Sequence, residues 1–372
     1  MKKPIHWIIL GGLLVAVVAL RALASSSETT AMTPRASEEW SRGQFIGHTP
    51  VKQPVTLQPA PDGGAFLVWP NLDGQLELAH MGVDGEVLLD RVLPVEAVKA
   101  RDPQLVVGLE GRLHLLWREQ SGPHAGVHYA MLEADGTPVG QPQALSDPVG
   151  RIGGPPRLAR DAKGRLHALW ADDAGIHWAV LDSEGRMVRE PALVIPGGRS
   201  PLVQVDSGGR LHLVWQQEAR INTRSVHYAA LDPEKGALGD PEEIAEILLT
   251  DRLQLEDVAF GLSEDTGYVL WSEYDEGFDR YLFPYASFSL DAPQQKQTSL
   301  WHLKVGDGPT AISSLQGQYT PLPVAISERV TDLGQELAHY LISNESAVAS
   351  GEELQLQIAL ITVGTVGIEQ DE

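Results

Sequence analysis

Two sets of residues recur along this sequence at positions where they could do chemistry. One set consists of arginines that precede successive apolar segments: Arg101, Arg151, Arg199 and Arg252. Guanidinium groups that converged from these positions would suit a carboxylate or a sulfate, because their planar donor pairs bind such anions bidentately. The other set follows a repeated tryptophan and contains Glu119, Asp172, Glu273 and Tyr274. In a glycosidase-type reaction one of these carboxylic acids would act as general acid, and Tyr274 as nucleophile.

The same arginines have a structural alternative, which is to pair with acidic loops and stiffen them. The chain contains 50 acidic and 28 basic residues, so such partners are abundant and we favour this alternative. The net charge of −22 repels phosphate backbones, so we expect no nucleic acid as a partner. There is no cysteine, which excludes disulfides, thiolate metal sites and a cysteine nucleophile. The sequence also lacks phosphate-loop and zinc motifs, and we expect neither a metal nor another cofactor.

An internal repeat indicates the elements that must position these residues. Three segments nearly coincide: GRLHLLW at 111–117, GRLHALW at 164–170 and GRLHLVW at 209–215. Each is followed by a second matching segment, VHYAML at 127–132, IHWAVL at 176–181 and VHYAAL at 226–231. Weaker copies lie on both sides. The aromatic residues that end the first segment of each copy are Trp69, Trp117, Trp170, Trp215, Trp271 and Tyr340.

This repeat predicts an all-β fold, a β-propeller of six four-stranded blades. The first five copies of the repeat are clearly recognisable, whereas the sixth, at Tyr340, is degenerate. Side chains alternate along a strand, so we expect the repeated aromatic residues to fill the gaps between neighbouring blades. His114, His167 and His212 would fall in different blades, too far apart for one metal ion, and we interpret them as core residues. Residues 43–55 are expected to close the ring as the outer strand of the last blade.

The repeated segments resemble the sialidase-like six-bladed propellers with Asp-box (BNR) repeats, over roughly residues 50–372. The resemblance is carried by the pattern Asp-x-x-Gly-Arg-Leu-His-x-x-Trp and the following His-Tyr/Trp-Ala-x-Leu. It implies a ligand site at the mouth of a central channel, where catalytic members bind a carboxylate through arginines from different blades. This chain departs from the family at the turns of residues 82–90, 133–140 and 182–189, which lack the Asp-box tryptophan. It also lacks the Arg-Ile-Pro segment of catalytic members, so the resemblance implies a degenerate, noncatalytic propeller.

The N terminus predicts export. Lys2 and Lys3 precede an apolar run over residues 4–20, and this charge pattern keeps the N-terminal end cytoplasmic. We expect residues 1–24 to form a single transmembrane anchor, with membrane contact through residues 4–24. The alternative is a signal peptide cleaved after Ala24, because Ala22-Leu23-Ala24 has the small-x-small form of such a site. Residues 25–42 are rich in Ser, Thr and Glu and indicate a flexible stalk before the propeller of residues 43–372.

These observations predict a membrane-tethered, extracytoplasmic propeller that binds a protein or carbohydrate partner without catalysis. The intact structural repeat beside the missing catalytic motifs favours this interpretation. The alternative is a divergent sialidase-like glycoside hydrolase with an arginine-lined central site.

Overall fold

The computed structural model describes most of residues 44–303 and four shorter stretches nearer the C terminus. The described residues are 44–50, 56–62, 64–82, 86–97, 99–119, 125–146, 153–206, 208–248, 258–263, 265–271, 273–275, 280–303, 324–331, 334–344, 353–362 and 368–369. Their regular structure is β-strand, in agreement with the predicted all-β fold. The predicted anchor and stalk, residues 1–42, lie outside the described residues. Within the described ranges no helix has the length and apolar character needed to cross a membrane.

The strands alternate with short turns along the whole described chain. The first thirteen are β1 (Gln44–Pro50), β2 (Thr56–Pro59), β3 (Ala65–Pro70), β4 (Leu76–Met81), β5 (Val87–Val92), β6 (Ala100–Val107), β7 (Leu113–Glu119), β8 (Gly126–Leu132), β9 (Gln143–Ala144), β10 (Arg157–Arg160), β11 (Leu166–Ala171), β12 (Gly175–Leu181) and β13 (Met187–Pro196). The others are β14 (Arg199–Val205), β15 (Leu211–Arg220), β16 (Thr223–Asp232), β17 (Ala237–Leu238), β18 (Glu242–Leu248), β19 (Val258–Ser263), β20 (Thr266–Trp271), β21 (Glu273–Asp275), β22 (Arg280–Ser289), β23 (Ala292–Leu303), β24 (Val324–Thr331), β25 (Gly334–Asn344), β26 (Glu353–Thr362) and β27 (Ile368–Glu369).

Over the described residues the strands form six antiparallel sheets. Sheet 1 contains β2–β5, sheet 2 β6–β9, sheet 3 β10–β13, sheet 4 β14–β18, sheet 5 β19–β23 with β27, and sheet 6 β24–β26 with β1. Sheets 1 to 3 have four strands in sequential order, as the repeat predicts. Sheets 4 and 5 depart from the four-stranded pattern, because β18 adds to β16 and β21 adds to β22. We call the first strand of each of sheets 1 to 5 its inner strand.

The N-terminal strand joins the last sheet. β1 pairs antiparallel with β26, so the strand order in sheet 6 is β1-β26-β25-β24. This pairing confirms that residues within 43–55 complete the outer edge of the last sheet. β1 also contacts sheet 1, since a Cβ atom on Gly47 would lie only 2.9 Å from Cζ2 of Trp69. A glycine is required where the two chain segments meet so closely.

Each pair of neighbouring sheets from sheet 1 to sheet 5 shares an apolar core, and a repeated tryptophan lies in each core. Trp117 of sheet 2 packs in one cluster with Phe66 and Leu78 of sheet 1. The same relation holds for Trp170 with residues of sheet 2, for Trp215 with sheet 3 and for Trp271 with sheet 4. The buried aromatic residues of the repeat are Trp69, Trp117, Trp170, Trp215 and Trp271, each at most 4% exposed. Tyr340, the sixth predicted residue of this set, lies in β25, where only the backbone is described.

The repeated histidines are buried in hydrogen-bonded networks, as their interpretation as core residues requires. In sheet 4, Nδ1 of His212 lies 2.7 Å from Oη of Tyr228, and its Nε2 lies 3.1 Å from Asp206. In sheet 3, His167 has the equivalent contacts with Trp178 and Asp161, each at 3.3 Å. The imidazoles of His167 and His212 are structural, because both ring nitrogens of each are already engaged.

Candidate functional site

Arg101 and Arg199 occupy equivalent positions at the rim, by which we mean the ends of the sheets where the inner strands β6, β10 and β14 begin. Each arginine is followed by a residue with positive φ, Asp102 at 50° or Ser200 at 48°, and then by a proline. In both strands the pairing register shifts directly after the arginine. A β-bulge of this kind re-aims the neighbouring side chains. One local motif, Arg-x-Pro, therefore positions both arginines.

Sheet 3 has glycine where sheets 2 and 4 have arginine. The carbonyl of Gly153 accepts a hydrogen bond of 2.8 Å from the N–H of Ser200, which ties the rims of sheets 3 and 4 together. A Cβ atom on Gly154, whose φ is 114°, would lie 2.7 Å from Oγ of Ser200. A side chain there would displace the bulge that carries Arg199. Arg151 and Arg252, the other two predicted binding residues, lie outside the described residues.

The rim arginines differ in their partners. Arg118 forms a buried ion pair with Asp102, in the way that the structural alternative predicts. Arg101 is exposed and Arg199 is half-buried, and neither forms an ion pair with a carboxylate of the described residues. In the described part of the rim, Arg101 and Arg199 are therefore the cations available to a ligand.

The acidic candidates are held in different surroundings. Glu119 is buried, and Nε1 of Trp117 donates to its Oε1 at 3.5 Å. Asp172 lies 2.9 Å from Nε2 of His177. Burial raises the pKa of the Asp172 carboxyl, but contacts with the N–H of Ala174 and with His177 outweigh this and hold it below its usual range. A general acid needs a raised pKa, so Asp172 is unsuited to that role.

Glu273 and Tyr274 lie in the short strand β21, which pairs with β22 beside sheet 5. The structure describes their backbone only, and their predicted roles stay predictions.

A cavity of about 690 Å³ lies among the inner strands β2, β6, β10, β14 and β19. We call it the central cavity. Its polar lining residues are Gln58, Gln104, Gln204, Arg157 and Arg160, and the remaining lining residues are apolar. None of the described lining residues is acidic, although the whole chain carries a net charge of −22. The cavity therefore presents amide and guanidinium donors in a locally positive setting.

Several of these polar side chains also link neighbouring inner strands. Nε of Arg157 in sheet 3 donates to the carbonyl of Pro201 in sheet 4 at 3.2 Å. Thr56 of sheet 1 makes the equivalent bond to the carbonyl of Pro103 in sheet 2. Nε2 of Gln204 reaches the carbonyl of Phe260 in sheet 5 at 3.2 Å. These bonds hold the wall of the cavity in place.

Sequence reasoning did not find the glutamines of the central cavity or Arg160. Gln58 and Gln204 share one register position in sheets 1 and 4, but Val106 and Ala159 hold that position in sheets 2 and 3, so these polar residues do not recur as a full repeat. The available signal was the presence of polar residues in strands that are otherwise apolar, such as RLAR at 157–160.

No protein-family model matches the chain, and no curated protein matches its sequence. Solved structures do match its fold. The polysaccharide lyase Uly1 is 11% identical, with a TM-score of 0.50, over 89% of this chain and 94% of that one. A protein of unknown function from Dyadobacter fermentans is 10% identical, with a TM-score of 0.50, over 87% and 99%. An endo-1,4-β-xylanase from Bacteroides thetaiotaomicron is 12% identical, with a TM-score of 0.44, over 73% and 94%.

At these identities the likeness concerns the fold alone. Together with the antiparallel sheets and the cores between them, it shows that the chain has an all-β, propeller-like fold.

Proposed function

We propose that this chain is a carbohydrate-binding propeller whose ligand enters the central cavity from the rim. The observation that carries the proposal is the lining of that cavity. Amide and guanidinium groups donate hydrogen bonds to sugar hydroxyls and ring substituents, and the apolar residues between them suit the faces of sugar rings. A fold similar to that of a polysaccharide lyase supports the proposal, since it offers a comparable scaffold.

The six sheets are, in this proposal, the six blades of one ring. Shared cores join sheets 1 to 5 in sequence, and β1 links sheet 6 back to sheet 1 through Trp69. Such a ring leaves only short edges toward its centre, the inner strands that line the central cavity.

We favour binding over hydrolysis because the described acidic candidates are engaged. Glu119 is buried beside Trp117, and Asp172 is kept ionised by its neighbours. Glycoside hydrolysis needs two carboxyl groups that face the scissile bond, one of them protonated. The alternative is a divergent sialidase-like hydrolase with an arginine-lined central site, for which the candidate catalytic residues are Glu119, Asp172, Glu273 and Tyr274.

The test is a binding titration with the full chain against cellohexaose, xylohexaose and oligogalacturonate. We compare the wild type with Ala159→Trp, which fills the central cavity, and with the matched control Ala192→Trp on the exposed outer strand β13. Ala159→Trp is expected to weaken binding at least tenfold, and Ala192→Trp to leave it unchanged. If Ala159→Trp perturbs thermal unfolding, Gln104→Leu takes its place. A folded cavity variant that binds like the wild type contradicts the proposal.

The same mixtures distinguish the other functions. New reducing ends that form in proportion to the wild-type protein and are lost in the cavity variant would establish the hydrolase. If no oligosaccharide binds, carbohydrate binding is rejected and a protein partner is favoured.

We further propose that residues 4–24 tether the propeller outside the cytoplasmic membrane. The support is the apolar run that follows Lys2 and Lys3. In a bacterial host, protease added to spheroplasts should degrade the propeller of the full chain and leave a cytoplasmic control intact. Recovery of the propeller in the medium, beginning at Ser25, would indicate cleavage instead; a protected propeller would refute export.

A further inference from the structure

We propose that the central cavity selects a sugar that carries an anionic group, a carboxylate or a sulfate ester, and that Arg160 is the residue that recognises this group. The inference rests on the proposed function, since it specifies the class of carbohydrate that the cavity takes.

The first observation is the place of Arg160 in the repeat. It is the last residue of β10 and lies opposite Leu166, half-buried in the cavity wall. The residues in the same register of sheets 1, 2 and 4 are Pro59, Val107 and Val205. Arg160 is thus a cation at a repeat position that is otherwise uncharged. Placing a partly buried charge there is costly unless something pairs with it.

The second observation is that the acidic residue next to Arg160 in the sequence, Asp161, is already engaged. Asp161 is 2% exposed, and its Oδ2 accepts from Nε of Arg165 at 2.7 Å and lies 3.3 Å from Nε2 of His167. Its Oδ1 accepts from the backbone N–H groups of Lys163 and Arg165, each at 2.9 Å. No carboxylate of the described residues forms an ion pair with Arg160. The guanidinium is left for a group from outside the chain.

The third observation is the charge around Arg160. Arg160 lines the cavity, and the described lining contributes no acidic group. In a chain with a net charge of −22, this wall is a local positive site. A cleft lined by one sign of charge concentrates ligands of the opposite sign. Guanidinium groups pair with carboxylates and sulfates through two parallel hydrogen bonds, which gives both affinity and orientation.

His114 offers an independent view of the site. Burial, and then the positive charges of Arg160 and Arg112, lower the pKa of His114 to about 4. An anion bound to Arg160 offsets the nearby positive charge, so it should raise the pKa of this imidazole. Further burial of His114 without an anion would instead lower its pKa. The direction of the pKa shift therefore distinguishes anion binding from burial.

The test uses the full chain and three hexasaccharides: oligogalacturonate, the same oligogalacturonate fully methyl-esterified, and a sulfated neutral hexasaccharide. Esterification removes the charge with little change of shape. The wild type should bind oligogalacturonate or the sulfated sugar at least tenfold more tightly than the ester. Whichever of the two charged hexasaccharides binds more tightly shows whether the site prefers a carboxylate or a sulfate.

Arg160→Gln should abolish the preference for charged sugars and keep the affinity for the ester. Arg160→Lys should retain part of that preference, because it keeps the positive charge. The matched control Arg220→Gln removes an equally positive but exposed charge at the tip of the β15–β16 hairpin, and should keep the preference. Histidine-selective NMR titration should show the pKa of His114 rising when the preferred acidic sugar binds to the wild type, and already raised in free Arg160→Gln.

A preference retained in Arg160→Gln, or an equal affinity of the wild type for the charged sugars and the ester, overturns the inference while leaving carbohydrate binding intact. Should Arg160→Gln fail to fold, a wild type in which the pKa of His114 does not rise when the preferred acidic sugar binds would overturn it as well. Failure of all sugars to bind rejects the proposed function together with the inference.

Discussion

The two ends of the sheets use arginine in different ways. At the turn face, by which we mean the Asp-x-x-Gly-Arg turns between β10 and β11 and between β14 and β15, each arginine is paired. Arg165 binds Asp161 and Glu234, and Arg210 binds Asp206. At the rim, Arg101 and Arg199 form no ion pair with the described residues. The same side chain thus serves stability at one end and remains available for a ligand at the other.

The physical reason for this difference is the local chain geometry. In the turn motif the aspartate precedes the arginine by four residues, and the turn that ends in Gly164 (φ 81°) brings the two together within one short segment. At the rim the arginine precedes a bulge and a proline, and the one acidic residue of that segment, Asp102, pairs across the strands with Arg118. The arginines of the turn face therefore pair within their own turns, whereas Arg101 and Arg199 have no ion-pair partner among the described residues.

The largest expected effect lies at the turn face. Asp161→Ala should lower the free energy of unfolding by about 4 kcal/mol, because it leaves His167 and Arg165 without their buried partner. Asp182→Ala is the matched control, since Asp182 holds Arg186 in the same motif but at the surface. Its cost should stay near 1 kcal/mol. Urea unfolding measures both; equal costs for the two variants would show that burial does not distinguish them.

The next effect is a loss of stability in mild acid. The pKa of His114 lies at about 4 in the folded chain against an ordinary value of 6.5, mainly because of burial. The unfolded chain therefore binds a proton in this range before the folded one does, so stability present above pH 6.5 is lost as the pH falls toward 4. His114 alone should account for about 3 kcal/mol between pH 7 and pH 4.

His167 and His212 act in the same direction, since burial lowers the pKa of each despite the opposing aspartates. Urea unfolding at several pH values measures the slope, and the variant His114→Gln serves as its control. A slope that is the same in wild type and in His114→Gln would assign the acid sensitivity to other groups.

The smallest effect on stability is expected at the rim. Arg101→Gln and Arg199→Gln should each change the free energy of unfolding by no more than about 0.5 kcal/mol, because neither residue has an ion-pair partner in the described chain. Each should weaken binding of an acidic hexasaccharide about tenfold if the ligand extends to the rim. Arg118→Gln should do the reverse, destabilising the fold by about 3 kcal/mol through loss of the buried pair with Asp102. A destabilised Arg101→Gln with unchanged binding would place Arg101 with the structural arginines.

The repeat predicted much of the architecture, and for physical reasons. Leu113, Leu115 and Trp117 share one side of β7 and enter the core with sheet 1, whereas Leu116 enters the core with sheet 3. Alternation along a strand makes this distribution readable from residue order alone. The pairing of β18 with β16 and of β21 with β22 could not be predicted from residue order, because it depends on hairpins that extend beyond the repeat.

The candidate site was only partly predictable. The sequence placed Arg101 and Arg199 among the possible ligand-binding residues, yet it favoured pairing with acidic loops for all the rim arginines. The structure shows such pairing for Arg118, a residue that the sequence had not singled out. Partner choice depends on which side chains meet across strands, and composition reports only how many charges are available.

By itself, then, the sequence determined the β-strand repeat, the buried tryptophans and histidines, and the closing role of the N-terminal strand, because each follows from local periodicity and from the need to cover apolar faces and edges. The tertiary structure decided which charges remain without partners and which polar residues line the central cavity. Those properties arise where five inner strands, far apart in sequence, come together, and no segment of the chain contains them alone.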